Sequence, residues 1–194
     1  MEKDGMIRGC KVLIIGGSAG SLEVLIQILP QLTQIPTFAL VMVLHRKSGE
    51  DATLEELIAI KSKIPVVEVE DKTPLKAGYI YVAPSDYHLL FETNDNLSLD
   101  TSEKINYSRP SIDVSFESAA EVYGESLVAI LLSGANSDGT EGLLAIKNAG
   151  GVTVVQEPES AQMPFMPKNA LEATNPAYVL DVEGILQFIT SINS

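Results

Sequence analysis

Short unbroken apolar runs alternate along the chain with longer stretches in which apolar residues recur every three or four positions. Val12-Leu13-Ile14-Ile15 is the first run, rich in β-branched residues and lacking a polar face, as in a strand covered on both sides. Leu22, Leu25, Ile26 and Leu29 follow at helical spacing. Phe38 to Leu44 reads as a second buried strand, ending at His45. A helix from Ala52 to about Ser62 comes next, with Leu54, Leu57 and Ile58 facing inward and Asp51 as its cap; a short strand lies within Ile64 to Glu70. Ile112, Val114, Phe116, Ala119 and Ala120 predict a helix running to about Tyr123, and Leu127 to Leu132 a buried strand. Thr140 to Ala149 is a helix stopped by Gly150-Gly151, followed by a strand over Val152 to Gln156. Pro158 to Pro167 reads as a loop before a short helix, and Val182 to about Ile192 as the closing helix. This alternation predicts an α/β fold, a doubly wound, mostly parallel sheet with helices on both faces, in a single domain over residues 1–194.

One stretch breaks the rhythm. Within residues 76–100, Tyr79 to Val82 reads as a strand, Tyr87 to Glu92 pairs with Leu97 to Leu99, and Thr93-Asn94-Asp95-Asn96 supplies hairpin-turn chemistry. An antiparallel hairpin insertion is expected there, too short for a core of its own.

Composition narrows the function. The 194 residues carry 13 Lys and Arg against 26 Asp and Glu, a formal net charge of -13. That balance argues against binding nucleic acid or an anionic membrane through bulk electrostatics. No apolar run approaches the roughly 18 residues that span a bilayer, and the polar start Met1 to Gly5 lacks the features of a secretory signal. A cytoplasmic protein without membrane insertion is expected. The single cysteine, Cys10, excludes an internal disulfide and a thiolate metal cluster, and no cofactor is implied.

Three predicted strands end in groups able to do chemistry. The first runs into Gly16-Gly17-Ser18-Ala19-Gly20, a match to Gly-x-Ser-x-Gly whose glycines let the backbone turn sharply and present a hydroxyl at a helix start. The second ends at His45, and the strand after Tyr123 ends in Ser133 to Gly139, which contains Asp138. In doubly wound sheets the crevice lies beyond the carboxyl ends of the strands, so Ser18, His45 and Asp138 form one candidate site. A serine hydroxyl becomes nucleophilic when an imidazole takes its proton and a carboxylate orients that imidazole. His45 is preferred as the base over the only other histidine, His88, which falls in the hairpin. Other uses stand beside this one: Ser18 as a cap of the following helix, Asp138 as a cap of the helix after Gly139. The order Ser, His, Asp differs from that of the common α/β-hydrolases, and neither a dinucleotide fingerprint nor a Walker loop is present.

Six segments in order resemble the catalytic domain of the chemotaxis receptor protein-glutamate methylesterases, the CheB-type family: Ile15 to Gly20, Val43-Leu44-His45, Gly78 to Pro84, Ser108 to Asp113, Leu131 to Gly139, and Met166-Pro167 before Ala170. The resemblance implies a serine hydrolase in which Ser18 attacks a γ-glutamyl methyl ester, His45 is the base and Asp138 orients it. Methanol is the product, and glutamine deamidation a related activity. The implied partner is the cytoplasmic region of a methylated chemotaxis receptor. Ala19, Arg109, Ala135 and Met166 are further substrate-binding candidates. The family usually has threonine at position 19 and methionine-glycine at Ala135-Asn136, near the backbone amide that serves the oxyanion. It typically also carries a receiver domain before the first strand, where only about ten residues stand here, so phosphorylation within this chain has no sequence support. Two other classes remain open, a partner-binding module on the same fold and a small-molecule carboxylesterase.

Overall fold

The structure, a computed structural model, describes residue 7 and residues 9–46 and 53–192. The polar start Met1 to Gly5 and the expected cap Asp51 lie outside the described residues. In chain order the elements are β1 (Val12–Gly17), α1 (Ser21–Ile28), β2 (Ala39–Leu44), α2 (Thr53–Lys61), β3 (Val66–Glu68), β4 (Thr73–Pro74), β5 (Ile80–Val82), β6 (His88–Phe91), β7 (Asn96–Asp100), α3 (Ile112–Tyr123), β8 (Leu127–Leu131), α4 (Thr140–Asn148), β9 (Val152–Gln156), α5 (Phe165–Thr174), β10 (Tyr178–Leu180) and α6 (Val182–Ile192).

Side chains alternate across a strand, so a run without polar residues must face two apolar layers. Leu13 and Ile15 of β1, with Leu40, Met42 and Leu44 of β2, pack with Leu25 and Ile28 of α1 and Ile185 and Ile189 of α6. Val12 and Ile14, with Val41 and Val43, pack on the opposite face with Ile112 and Phe116 of α3, Leu143 and Ile146 of α4, and Ala170 of α5. The main sheet has seven strands in the order β10-β9-β8-β1-β2-β5-β3, and neighbouring strands pair in parallel throughout. The doubly wound parallel sheet expected from the sequence is what forms. Its order reverses at β1, which lies between β8 and β2, so the crevice at that switch point opens beside the ends of these three strands.

The insertion differs from its expected form. β5, within the predicted hairpin region, is a strand of the main sheet, paired with β2 and β3. The antiparallel part is instead a three-stranded sheet, β4-β7-β6. Its apolar face, Leu89, Phe91 and Leu97, joins the α3 side of the core. Ser115 and Ser118 of α3 donate their hydroxyls to the carbonyls of Leu89 and Phe91 at 2.8 and 3.3 Å. This anchoring fixes the N-terminus of α3 beneath the crevice.

Candidate active site

Ser18 follows β1 in the turn that leads into α1. Its amide donates to the Ser133 carbonyl at 2.9 Å, which ties the turn to the end of β8. The turn needs glycine at position 20, where φ is +84° and a Cβ would sit 2.6 Å from Ser133 Oγ. That hydroxyl is occupied: Ser133 Oγ donates to the carbonyls of Ala19 at 2.7 Å and Met163 at 3.2 Å. Ser18 does not cap α1. The cap position belongs to Gly20 and has no side-chain hydrogen bond, while the Ser18 carbonyl accepts the Ser21 hydroxyl.

His45 stands directly after β2, with its amide on the Gly17 carbonyl at 3.1 Å. Its Nε2 lies 2.7 Å from Asp138 Oδ2. The partner is a carboxylate oxygen, so Nε2 carries the proton and donates, leaving Nδ1 as the ring's acceptor. Ser18 and His45 line one cavity of about 420 Å³, walled by Leu22, Leu44, Leu54 and Leu57. Among the described residues no hydrogen bond joins Ser18 Oγ to His45; what the structure places together is a bonded His45–Asp138 pair with the serine in the same cavity.

Asp138 is fully buried and receives five donors. Oδ2 accepts His45 Nε2 and the Ile112 amide, both at 2.7 Å. Oδ1 accepts the Asp113 amide at 3.0 Å, the Ser111 hydroxyl at 3.1 Å and Asn106 Nδ2 at 3.4 Å. Asp138 therefore satisfies the N-terminal amides of α3, not those of α4 that follow it in sequence. The amides at the start of α4, Gly139 and Gly142, bond instead to Asp113 Oδ1 at 2.9 and 2.7 Å. Burial works hardest against the Asp138 anion, yet the His45 hydrogen bond and the amides of Asp113 and Ile112 outweigh it and hold its pKa below the ordinary carboxylate value. For Asp113, burial prevails and, with the Asp138 charge beside it, pushes the carboxyl up to about 6.

His88 is buried away from Ser18. Its Nε2 donates to the Glu103 carbonyl at 2.8 Å and its Nδ1 accepts the Ser111 amide at 3.2 Å, so both ring nitrogens are engaged, one with the loop at Glu103 and the other with Ser111. The other candidates separate. Ala19 and Ala135 are exposed beside the serine turn. Arg109 spends its guanidinium on the carbonyls of Thr101 and Ser102, both at 3.1 Å, as a loop anchor. Met166 is wholly buried, and a Cβ on Gly134 would lie 2.5 Å from its Cε and 3.0 Å from Ser18 Cβ, so Met166 supports the turn from beneath. Sequence reasoning passed over Ser111, Asp113 and Asn106 as partners of Asp138. A polar Ser-x-Asp pair opening a predicted helix is the signal that points to the first two.

The model of the CheB methylesterase family matches residues 13–189. A Leptospira interrogans protein, provisionally named protein-glutamate methylesterase/protein-glutamine glutaminase, is 40% identical over 94% of this chain and 95% of its own. A Thermotoga maritima protein-glutamate methylesterase/protein-glutamine glutaminase is 34% identical over 88% of this chain but only 50% of its own length. The crystal structure of the Thermotoga maritima CheB methylesterase catalytic domain superposes with a TM-score of 0.87 at 33% identity, covering 93% of this chain and 98% of that one.

Proposed function

The chain belongs to the CheB methylesterase family, and from that premise we propose that it hydrolyses γ-glutamyl methyl esters on the cytoplasmic region of a chemotaxis receptor, releasing methanol, with Ser18, His45 and Asp138 as its triad. The observation that carries the reading is the 2.7 Å bond from His45 Nε2 to the buried Asp138, in the cavity that also holds Ser18. Ser18 Oγ attacks the ester carbonyl as His45 Nδ1 takes its proton, and Asp138 stabilises the imidazolium. The tetrahedral oxyanion needs fixed donors. The Ser18 amide is committed to Ser133, so that role falls to the Ala135 amide, which makes no hydrogen bond among the described residues and follows Gly134, packed against Ser18. His45 then returns the proton to the departing methoxide, and water attacks the acyl-enzyme in a second round to give glutamate. A γ-carboxamide enters the same sequence with ammonia as leaving group, which accounts for glutamine deamidation. Among the described residues no helix is long and apolar enough to cross a membrane.

The test is methanol release from a methylated receptor fragment by the purified protein. Wild type should release it and Ser18→Ala should lose at least about three powers of ten in kcat. Undiminished release by Ser18→Ala overturns the assignment of the nucleophile.

A further inference from the structure

The α3 and α4 N-termini exchange carboxylates. Asp138, immediately before the Gly139 that opens α4, bonds the first amides of α3, and Asp113, in the first turn of α3, bonds the amides of Gly139 and Gly142. Gly139 has no side chain with which to cap its own helix, and at φ +97° a Cβ there would meet Leu131 at 2.7 Å. The amide on the residue after Asp138 is thus held from another helix. Asn106 Nδ2 closes the arrangement, 3.1 Å from Asp113 Oδ2 and 3.4 Å from Asp138 Oδ1.

The electrostatic side points the same way. Each helix N-terminus carries roughly half a positive charge. The α3 amides and the Ser111 and Asn106 donors draw on the same Asp138 carboxylate that must stabilise a protonated His45. The second anion, Asp113, lies in the first turn of α3 and against the first turn of α4, where it offsets both positive ends.

We propose that Asp113 is a positioning residue for hydrolysis: its buried side chain accepts the amides of Gly139 and Gly142 and so fixes the turn that holds Asp138 against His45. The inference rests on His45 being the base of the reaction proposed above. The charged and titratable groups around the pair are Asp138 from the β8–α4 turn, His45 from the end of β2, His88 behind Ser111, and Glu117 and Glu141 from the next turns of α3 and α4, with no lysine or arginine among the hydrogen-bond partners of either carboxylate among the described residues.

Asp113→Asn and Asp113→Ala separate the positioning role, because the carboxamide oxygen of asparagine can still accept from Gly139 and Gly142 while alanine frees both amides. The proton NMR signal of the His45 Nε2–H held by Asp138, assigned with His45→Gln, reports that bond without turnover. Asp113→Asn should keep the signal and hold kcat within several-fold of wild type. Asp113→Ala should lose or shift the signal and lower kcat about tenfold or more with KM unchanged. A wild-type signal in folded Asp113→Ala overturns the proposal. Because the signal needs no turnover, the result stands apart from the fate of the esterase reading, which Ser18→Ala decides.

Discussion

Replacing Asp138 with asparagine removes one oxygen and one charge without changing shape, and the structure sets what each loss costs. Oδ1 faces the Asp113 amide at 3.0 Å and Oδ2 the Ile112 amide at 2.7 Å, both held by the first turn of α3. Whichever way the carboxamide turns, its NH2 meets a fixed backbone donor, so two donors are stranded in a site with no exposure. At about 1–3 kcal/mol for each stranded buried donor, the fold should lose about 2–6 kcal/mol. Catalysis should suffer more. With NH2 in place of Oδ2, His45 Nε2 faces a donor and the ring shifts its proton to Nδ1, the nitrogen that must accept from Ser18. With oxygen there instead, the tautomer survives but the imidazolium loses its counter-charge. Either way kcat should fall about 10⁴-fold, as expected when a triad carboxylate is neutralised. Methanol release from methylated receptor measures the rate, and urea unfolding measures the stability. A folded Asp138→Asn protein within about tenfold of wild-type kcat would refute the claim that Asp138 sets the proton on His45.

Four further outcomes follow from particular contacts. A fluorophosphonate should label the wild type at Ser18 and leave Ser18→Ala unlabelled; a folded wild type that resists labelling favours a partner-binding module over an esterase. His88→Gln, which leaves the His45–Asp138 bond in place, should keep kcat within about tenfold while losing about 1–3 kcal/mol in urea unfolding through the disturbed Ser111 amide. Met166→Ala empties the wholly buried space under Gly134 and should cost about 2–5 kcal/mol by the same measurement, with kcat falling as the turn beneath Ser18 loosens. Burial, with Asp138 beside it, raises the folded-state pKa of Asp113 to about 6 from an ordinary value of 3.8, so its contribution is full below the lower value and lost as pH rises through the higher. Asparagine cannot ionise; the Tm of Asp113→Asn relative to wild type should therefore increase between pH 4 and 7, and a flat difference in calorimetric scans would refute the sign.

The parts of the fold legible in the sequence are those whose burial is written locally. β1, β2 and β8 are unbroken apolar runs because both faces are covered, and their ends carry Ser18, His45 and the turn to Asp138 in plain view. β5 was legible as a strand but not as a member of the main sheet: Ile80 to Val82 is three wholly buried residues whose partners β2 and β3 are not written locally, and the turn residues around it read as hairpin. β10, three residues at the sheet edge with Val179 exposed, carries no pattern to find. The placement of Ser18, His45 and Asp138 at strand ends was legible in the sequence, but the choice of Nε2 for Asp138 and the engagement of Asp113 with α4 were not. Those depend on which helix end meets which carboxylate across 25 or more residues of sequence separation.

Of the positions at which the chain departs from the family's usual residues, Ala19 and Ala135 are exposed and Asn136 accepts the Asp138 amide with its Oδ1 at 3.0 Å, whereas the groups that shape the turn around Ser18 are buried. Ser133 accepts the Ser18 amide with its carbonyl and holds the Ala19 carbonyl with its hydroxyl, and its own amide is bound by Gln156 Oε1 at 3.0 Å. Gly134 donates its amide to the Met163 carbonyl and accepts the Met166 amide, with the Met166 side chain packed against it. None of these contacts uses a side chain at 19 or 135. A backbone donor at Ala135 is therefore aimed by Ser133, Gly134, Gln156 and Met166, and replacing the outward side chains changes what the substrate touches without changing where the oxyanion would sit. Restoring threonine at 19 or methionine at 135 should accordingly move KM more than kcat in the methanol assay, whereas Gln156→Ala, at a wholly buried position, should lower kcat; the reverse pattern would mean that the exposed side chains, and not the buried frame, position the reacting atoms.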